Sequence, residues 1–268
     1  MFSASTTTRC RVSPIMRDMK RYLHTIIAGL CLVASSAVHA AAQAALGLDL
    51  DAIELVELAP GVWLHTSYAT YPDGTRVPSN GLVVREGDAL LLLDTAWGEV
   101  QTASLLARIE RDLKLPVSRA ILTHAHGDRV AGADLLRARG VPVFATALTR
   151  RLALEVGLPL PSDTFPDLHS PGTALTLGTV EVFFPGAGHA PDNLMVWIPG
   201  ARVLFGACAV RAASATTLGN LAHADRSAWT VAIERATTRY SQARIVVPGH
   251  GAPGDAGLLH HTMTLLRR

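Results

Sequence analysis

The segment LTHAHGDRVAG, residues 122–132, carries two histidines and an aspartate at alternate positions, and the first histidine directly follows the apolar run AILT. A short apolar run of this kind is typical of a buried strand. His124, His126 and Asp128 are therefore predicted to follow the end of a strand, with the two histidines on the same side of an extended segment. Because imidazole and carboxylate groups are zinc ligands, the segment predicts a fold in which a buried sheet ends at a metal site.

Three further candidate ligands also follow strand-like runs. His189 follows VFFPGAG, Cys208 follows VLFGA and His250 follows IVVPG. A rigid sheet can direct the side chains at its strand ends into a shared cleft. A single histidine is more often a hydrogen-bonded structural residue, and PGHG is compatible with a simple turn. Together with the segment at 122–132, however, the six residues predict two adjacent zinc sites with positions open for catalysis.

The order of strand-like and helix-like patterns predicts the fold class. In the first half, strands near VWLHT, NGLVVR, ALLLLD, AILT and VPVFAT alternate with helices near EVQTASLLARIERDL, RVAGADLLRARG and LTRRLALEVG. The second half has strands near TVEVFF, LMVWIP, RVLFGA and RIVVPGH, a helix near DRSAWTVAIERATTRY and a helical tail. Two such halves predict an α/β fold, a four-layer αβ/βα sandwich, connected through the proline-rich GLPLPSDTFPD.

The first 40 residues differ from the rest of the chain. Five basic residues precede the apolar run IIAGLCLVASSAV, and Val38-His39-Ala40 follows. This pattern is typical of a signal peptide; a membrane anchor is the weaker alternative, because the run is shorter than a spanning helix needs. We therefore expect residues 1–40 to be a signal peptide and residues 41–268 to form a single domain of two αβ halves. The mature protein is expected to be periplasmic, monomeric and without stable membrane association.

Removal of that leader changes both the charge and the cysteine count. The remaining chain is slightly acidic, which argues against nucleic acid as a partner. Cys10 and Cys31 are lost, so Cys208 has no intramolecular disulfide partner. An unpaired thiol in an oxidising compartment is exposed to oxidation unless it is buried or bound to a metal. Cys208 is thus interpreted either as a buried small apolar residue or as a metal ligand.

With these residues in view, the chain resembles the class B metallo-beta-lactamases, in particular the subclass with a tri-histidine site and an Asp-Cys-His site, which includes the Verona-type and New Delhi-type carbapenemases. The resemblance covers nearly all of residues 60–268. It is carried by VWLHTSY, PSNGLVVREGD, LLLLDTAWG, LPVSRAILTHAHGDRVAG, GAGHAPDNLMVWIP, GACAV, LGNLAHAD and VVPGHG. Other hydrolases of the wider fold typically have a further histidine after the aspartate. Here Arg129 follows Asp128, and Cys208 stands at the end of a later strand.

The resemblance implies two zinc ions per chain, the first held by His124, His126 and His189 and the second by Asp128, Cys208 and His250. It implies hydrolysis of the beta-lactam amide bond of penicillins, cephalosporins and carbapenems by a metal-bound hydroxide, which would confer resistance to these antibiotics. Asp128 and Asn220 would take part in catalysis. Asn220 would support the oxyanion that forms on the carbonyl, although an asparagine in LGN is equally compatible with a turn.

The resemblance also implies residues that bind the substrate. Arg211 would hold the substrate carboxylate in a bidentate contact; a solvated surface arginine is the alternative. Tyr68 and Tyr71 lie in the polar segment SYATYPDGTRVPS, which would form a flap over the substrate, although a simple exposed hairpin carries the same Asp-Gly signal. Asp94 and Arg129 match positions that orient ligands or balance charge near the second zinc.

The remaining histidines after residue 40, namely His65, His169, His223, His260 and His261, have no comparable context and are interpreted as surface or packing residues. His223 stands where relatives usually have an aspartate.

Two other functions remain open. One is a metallo-hydrolase of the same fold that acts on an ester, thioester or lactone, which Arg129 and Cys208 count against. The other is a zinc-binding protein without catalysis, in which the metal sites would be closed.

Overall fold

Two β-sheets with helices on their outer faces make up the computed structural model, which describes residues 52–166 and 168–268. The predicted signal peptide lies outside the described residues. The strands, in chain order, are β1 (Glu54–Ala59), β2 (Val62–Thr70), β3 (Arg76–Glu86), β4 (Ala89–Leu93), β5 (Val117–Ile121), β6 (Val143–Thr146), β7 (Asp163–Phe165), β8 (Thr173–Leu177), β9 (Val180–Phe184), β10 (Met195–Ile198), β11 (Val203–Ala207) and β12 (Ile245–Pro248). The helices are α1 (Glu99–Leu113), α2 (Gly127–Val130), α3 (Ala133–Ala138), α4 (Ala147–Glu155), α5 (Arg226–Arg239) and α6 (Gly257–Leu266).

Each half of the chain forms one of the two sheets. The first sheet has the strand order β1-β2-β3-β4-β5-β6-β7, antiparallel from β1 to β4 and parallel from β4 to β7. The second has the order β12-β11-β10-β9-β8, antiparallel except for the parallel pair β11 and β12. Strand β5 and the parallel pair β11 and β12 end at loops that carry candidate ligands.

Strand β4 shows how the layers are formed. Its sequence ALLLL is apolar throughout because both faces of the strand are covered. Leu91 and Leu93 pack in a core between the two sheets, whereas Leu90 and Leu92 pack against the helices outside the first sheet. This follows from the alternation of side chains along a strand.

A third apolar cluster completes the sandwich. It lies between the outer face of the second sheet and helices α5 and α6, and it contains Trp197, Leu204, Trp229, Ile233 and Leu259. Three buried layers between four layers of secondary structure confirm the predicted αβ/βα sandwich.

Several elements differ from the sequence-based expectation. The predicted strands near VWLHT and NGLVVR leave the segment SYATYPDGTRVPS outside them, but β2 and β3 pair through most of it, from Ser67 opposite Ser79 to Thr70 opposite Arg76. Only residues 71–75 form the turn. The end of this hairpin is largely exposed, so its polar residues do not show the alternation of apolar and polar side chains that indicates a strand. Strands β1, β7 and β8 were not predicted, and β7 lies inside the proline-rich segment that was expected to connect the two halves.

The helical segment RVAGADLLRARG is interrupted in the structure. Helix α2 ends at Val130 and α3 begins at Ala133. At Gly132, between them, an added Cβ would lie 2.2 Å from Thr102 Oγ1 of helix α1. A glycine is needed at this position because the backbone approaches α1 so closely.

Across the described ranges 52–166 and 168–268, no helix combines the length and the apolar character needed to cross a bilayer.

Candidate metal centre

The six predicted ligands meet at one end of the two sheets. His124, His126 and Asp128 follow β5, His189 lies between β9 and β10, Cys208 directly follows β11, and His250 follows β12. Four of them are nearly inaccessible to solvent, and His126 and His250 are half-buried.

Three imidazole rings face one another edge to face. The ring centroids of His124 and His126 are 4.7 Å apart, those of His124 and His189 are 5.2 Å apart, and those of His126 and His189 are 5.0 Å apart. The interplanar angles lie between 77° and 87°. The Nε2 atom of His189 lies 3.1 Å from Nδ1 of His126. Ring nitrogens that converge in this way can bind one metal ion.

Two nitrogen atoms in this group are buried and have no hydrogen-bond partner among the described residues: Nε2 of His124 and Nδ1 of His189. A buried polar atom without a partner costs free energy. Coordination of a zinc ion by Nε2 of His124 would remove this cost.

The other three candidate ligands form a second compact group. Sγ of Cys208 lies 3.2 Å from Nε2 of His250 and 3.7 Å from Oδ2 of Asp128. Nε2 of His250 lies 3.3 Å from the same carboxylate oxygen. A thiolate, an imidazole and a carboxylate are a suitable donor set for zinc.

The two groups form one continuous cluster. The ligating atoms of Asp128, Cys208 and His250 lie within 4.8 Å of one another. The same holds for His124, His189 and Cys208, and for His124, His126 and Asp128. The donor atoms therefore fit two neighbouring ions.

A short backbone turn directs Cys208 into this cluster. Ala207 has a positive φ of 45°, which is rare for a residue with a Cβ atom, and its carbonyl accepts a hydrogen bond from the N–H of Gly249. An added Cβ at Gly249 would lie 2.6 Å from Sγ of Cys208. Glycine before His250 thus allows the two ligand loops to pack together.

Hydrogen bonds behind the first group hold His124. The Asp94 carboxylate accepts hydrogen bonds from the N–H and the hydroxyl of Thr123, at 2.7 and 2.8 Å. The Thr123 hydroxyl lies 3.1 Å from Nδ1 of His124, which leaves Nε2 of that ring for the metal. Such contacts behind a ligand determine its orientation.

A buried arginine supports the second group. The Arg129 side chain is inaccessible to solvent and lies 2.8 Å from the Asp128 carboxylate and 3.3 Å from the Asp94 carboxylate. It also donates hydrogen bonds to the carbonyls of Asn80 and Gly249. Asp94 and Arg129, expected near the second zinc, therefore connect the two groups.

The histidines of the first group are held neutral. Burial, with the neighbouring rings of His126 and His189, keeps the pKa of His124 well below its usual value. Burial, with the ring of His126, lowers the pKa of His189 to about 3. Neutral imidazole is the form that binds a metal.

The second group is charged. Burial disfavours the Asp128 carboxylate, but the Arg129 guanidinium together with His250 and His124 outweighs burial and holds the pKa of Asp128 well below its usual value. Burial also disfavours protonated His250, but Cys208 and Asp128 outweigh it and raise the pKa of His250 to about 10 in the metal-free protein. Nδ1 of His250 contacts the carbonyl of Pro78, so Nε2 is left to face the cluster.

A contact that the sequence reasoning missed ties the ligand loops together. The Asp192 carboxylate accepts a hydrogen bond from the N–H of Ala125, between the two histidines of the HAH segment, at 2.8 Å. Asp192 is three residues after His189 and almost fully buried. Two successive polar residues, Asp192 and Asn193, in an otherwise apolar segment were the available signal.

The cluster lies on the floor of an open cavity of about 520 Å³. His126, Asp128, His189 and His250 line the floor. The walls comprise Tyr71, Val77, Trp97, Val156, Leu158 and Arg211.

The predicted substrate residues are only partly brought together. Tyr71 lines the cavity, but Tyr68 does not: its hydroxyl donates to the Glu54 carboxylate and the Arg76 guanidinium lies 4.2 Å from its ring centre. Asn220 lines the cavity, and its side-chain oxygen accepts a hydrogen bond from the N–H of Ala222, so the predicted turn is also present.

Arg211 lies half-buried at the wall of the cavity. Its Nε atom is buried without a hydrogen-bond partner in the described part of the chain. Burial lowers the pKa of this guanidinium, and the neighbouring Cys208 opposes that effect.

His223, interpreted from sequence as a surface or packing residue, is exposed but lies against a candidate ligand. Its Nδ1 atom is 2.9 Å from Nε2 of His126, and it lines the same cavity. His65, by contrast, is fully buried in packing, with Nε2 3.4 Å from the carbonyl of Leu93.

Comparison with known proteins agrees with this geometry. Residues 74–250 match the Metallo-beta-lactamase superfamily. The chain is 42% identical over 221 residues to a metallo-beta-lactamase type 2 of Bacillus cereus, across 82% of this chain and 84% of that protein. A metallo-beta-lactamase structure from Hirschia baltica has a TM-score of 0.78 and 36% identity, covering 80% of this chain and 97% of its own. The mono-zinc structure of the FIM-1 metallo-beta-lactamase from Pseudomonas aeruginosa has a TM-score of 0.75 and 35% identity, covering 80% and 95%.

The chain therefore belongs to the metallo-beta-lactamase superfamily. Within that superfamily, its similarity to proteins such as the Bacillus cereus enzyme extends over most of both chains and identifies a class B metallo-beta-lactamase, a hydrolase that binds zinc.

Proposed function

We propose that this protein hydrolyses the amide bond of the beta-lactam ring in penicillins, cephalosporins and carbapenems, with two zinc ions held by the cluster. The observation that carries the proposal is the set of six metal-binding side chains at the floor of an open cavity. The relatives named as metallo-beta-lactamases support it.

The residues fit the metal in number and chemistry. His124, His126 and His189 would hold one ion through neutral nitrogens, and Asp128, Cys208 and His250 would hold the other through a carboxylate, a thiolate and an imidazole. Zinc held there would supply a nucleophile at neutral pH and act as a Lewis acid toward a carbonyl oxygen. Asp128, at the junction of the two groups, and Asn220 are the proposed catalytic residues.

The cavity residues have separate roles in binding the substrate. Arg211 would bind the substrate carboxylate, because its half-buried guanidinium has no carboxylate within ion-pair distance in the described ranges. Tyr71 and Val156, which both line the cavity, would cover apolar parts of the drug. Asn220 would direct its amide N–H toward the carbonyl oxygen, since its side-chain oxygen already accepts a backbone hydrogen bond.

The open cavity argues against a purely structural metal site. Structural zinc sites are closed by four protein ligands, whereas four of the six candidate ligands here line a cavity that also exposes Arg211 and Tyr71. An esterase-like function for the same centre is tested below.

We further propose that the protein is exported as a monomer to the periplasm after removal of residues 1–40. The basic and apolar pattern of that segment supports export. Mass spectrometry of the protein from a periplasmic fraction should find an N-terminus near residue 41, and light scattering should give the mass of one chain. A cytoplasmic protein that retains residues 1–40 would contradict export.

The activity can be tested with a carbapenem, a cephalosporin and a simple aryl ester as substrates. We expect turnover of both beta-lactams by the zinc-loaded protein, loss of turnover with a chelator, and recovery when zinc is restored. The His260→Ala variant, which removes an exposed imidazole on helix α6, is the matched control and should retain full activity. Turnover of the ester without turnover of either beta-lactam would contradict the proposal.

A further inference from the structure

The contact between His126 and His223 is not explained by the roles assigned so far. The two nitrogen atoms are 2.9 Å apart, the ring centres are 5.2 Å apart and the rings are inclined by 41°. A distance of 2.9 Å between ring nitrogens is that of a hydrogen bond, so an N–H of one ring donates a hydrogen bond to a nitrogen of the other.

The orientation of His126 determines the direction of this hydrogen bond. Its Nδ1 atom faces Nε2 of His189 inside the cluster, and its Nε2 atom faces His223. If Nδ1 binds the metal, the proton of the neutral ring is on Nε2. His126 is then the donor and Nδ1 of His223 is the acceptor.

Backbone contacts hold the loop that carries His223 on both sides. Before it, the side-chain oxygen of Asn220 accepts a hydrogen bond from the N–H of Ala222, at 3.0 Å. After it, the N–H of Asp225 donates to the carbonyl of Gly188 at 2.9 Å, and the Asp225 carboxylate caps helix α5. Gly188 immediately precedes His189. The bond from Asp225 to Gly188 thus anchors the loop beside the cluster, and the exposed His223 lies two residues before that anchor.

We propose that His223 is a positioning residue for the tri-histidine zinc site, acting as the hydrogen-bond acceptor that fixes the tautomer and ring orientation of His126. Metal-binding histidines usually donate their second ring N–H to a carboxylate, a backbone carbonyl or water. Here a second imidazole takes that role at the edge of the cavity. The inference rests on the proposed zinc site and adds to it a residue that does not bind the metal.

A neutral imidazole is a weaker acceptor than a carboxylate, because hydrogen bonds to a charged group are roughly twice as strong. The site is therefore less tightly held than it would be with an aspartate at position 223. Zinc affinity should follow the strength of the acceptor at this position.

The test compares four variants of the full chain for zinc affinity, measured by competition with a chromophoric chelator. His223→Ala removes the acceptor and should weaken zinc binding at one site by about 10- to 100-fold. His223→Asn, whose side-chain oxygen can lie near the position of Nδ1, should restore much of that loss, and His223→Asp should bind zinc at least as tightly as the wild type. His260→Ala is the matched control for loss of an exposed imidazole and should bind zinc as the wild type does.

Nitrogen-15 NMR of the zinc-loaded protein detects the hydrogen bond between His126 and His223 independently of enzyme activity. In the wild type, the Nε2 proton of His126 should be observed and should exchange slowly with solvent. In His223→Ala it should exchange rapidly. Unchanged zinc affinity and unchanged exchange in His223→Ala would overturn the inference.

Two further outcomes separate this inference from the proposed function. If His223→Asn loses as much zinc affinity as His223→Ala, the bulk of the ring rather than its acceptor is responsible, and the inference fails while the zinc site stands. If the wild-type chain itself binds no zinc, the proposed function fails and the inference fails with it.

Discussion

The two groups of ligands are built in different ways. His124, His126 and His189 are neutral, and hydrogen bonds to Thr123 and His223 orient His124 and His126. In the second group, the carboxylate of Asp128 and the thiol of Cys208 lie beside the buried Arg129. Neutral imidazole rings need no counter-charge, whereas buried charged ligands need an opposite charge within the fold. The following predictions test this difference, in order of decreasing effect.

The largest effect is expected at the counter-charge. Arg129→Met leaves the carboxylates of Asp94 and Asp128 buried without their partner. The free energy of unfolding of the metal-free protein should fall by about 3–5 kcal/mol, measured by urea denaturation. Arg239→Met, which breaks a partly exposed ion pair with Glu181, is the control and should cost about 0–1 kcal/mol. Equal losses of unfolding free energy in both variants would show that Arg129 is not needed to stabilise the buried carboxylates.

Removal of one ligand from each group should separate the two sites. Cys208→Ser replaces a thiolate donor with a hydroxyl that stays protonated, so one zinc should bind more than about 100-fold more weakly, beyond the loss seen for a contact behind a ligand. The other zinc should bind almost as in the wild type. His189→Ala should show the reverse pattern. Stepwise zinc titration by calorimetry measures both, and equal loss of both ions in each variant would contradict two separable sites.

His65 provides a buried neutral histidine outside the metal centre. Burial lowers its pKa from 6.5 to about 4. Between these pH values the unfolded chain binds a proton at this residue and the folded chain does not. His65 therefore contributes stability above pH 6.5 that is lost as the pH falls toward 4, by about 1.4 kcal/mol per pH unit.

The measurement is the pH dependence of unfolding in the metal-free wild type and in His65→Gln. Between pH 4 and 6.5 the slope of the unfolding free energy against pH should be shallower in His65→Gln, by the equivalent of roughly one bound proton. Identical slopes would show that His65 takes up its proton equally in the folded and unfolded chains.

The smallest effect is expected at Arg211, which lies near Cys208 at the edge of the second group. Loss of its charge-assisted contact with the substrate carboxylate in Arg211→Ala should raise KM by about 10-fold with little change in kcat. Arg211→Lys should recover part of this, since it keeps the charge but not the planar guanidinium. Steady-state kinetics with a cephalosporin measures both constants. An unchanged KM in Arg211→Ala would remove Arg211 from the binding site.

Most of the metal centre could be predicted from the sequence because every candidate ligand lies shortly after an apolar, strand-like run. The runs AILT, VLFGA and IVVPG indicate strands by local composition, and parallel strands β4 to β6, like β11 and β12, end at the same edge of their sheets. Helix α1 was predicted with its observed bounds because Leu105, Leu106 and Ile109 recur at helical spacing on its buried face.

The hairpin β2–β3 was harder to predict because its outer end is exposed at Thr70 and Arg76 and only half-buried in the residues next to them. Polar side chains at such positions carry no alternation, so the strands were expected to be shorter than they are. The same exposure left open which tyrosine faces the substrate. Pairing with Glu54 of β1 turns Tyr68 away from the cavity, and β1 itself was not predicted.

The sequence by itself determined the kinds of ligand, their places after buried strands and the alternation that builds the sandwich, because these depend on residues close together in the chain. Asp94 and Arg129 were also expected near the ligands, but only the tertiary structure decided that His223 and Asp192 contact the ligand segment. His223 is 97 residues from His126 and Asp192 is 67 residues from Ala125. Contacts of that range depend on how the two sheets pack and on the course of the loops between them, which short-range patterns do not encode.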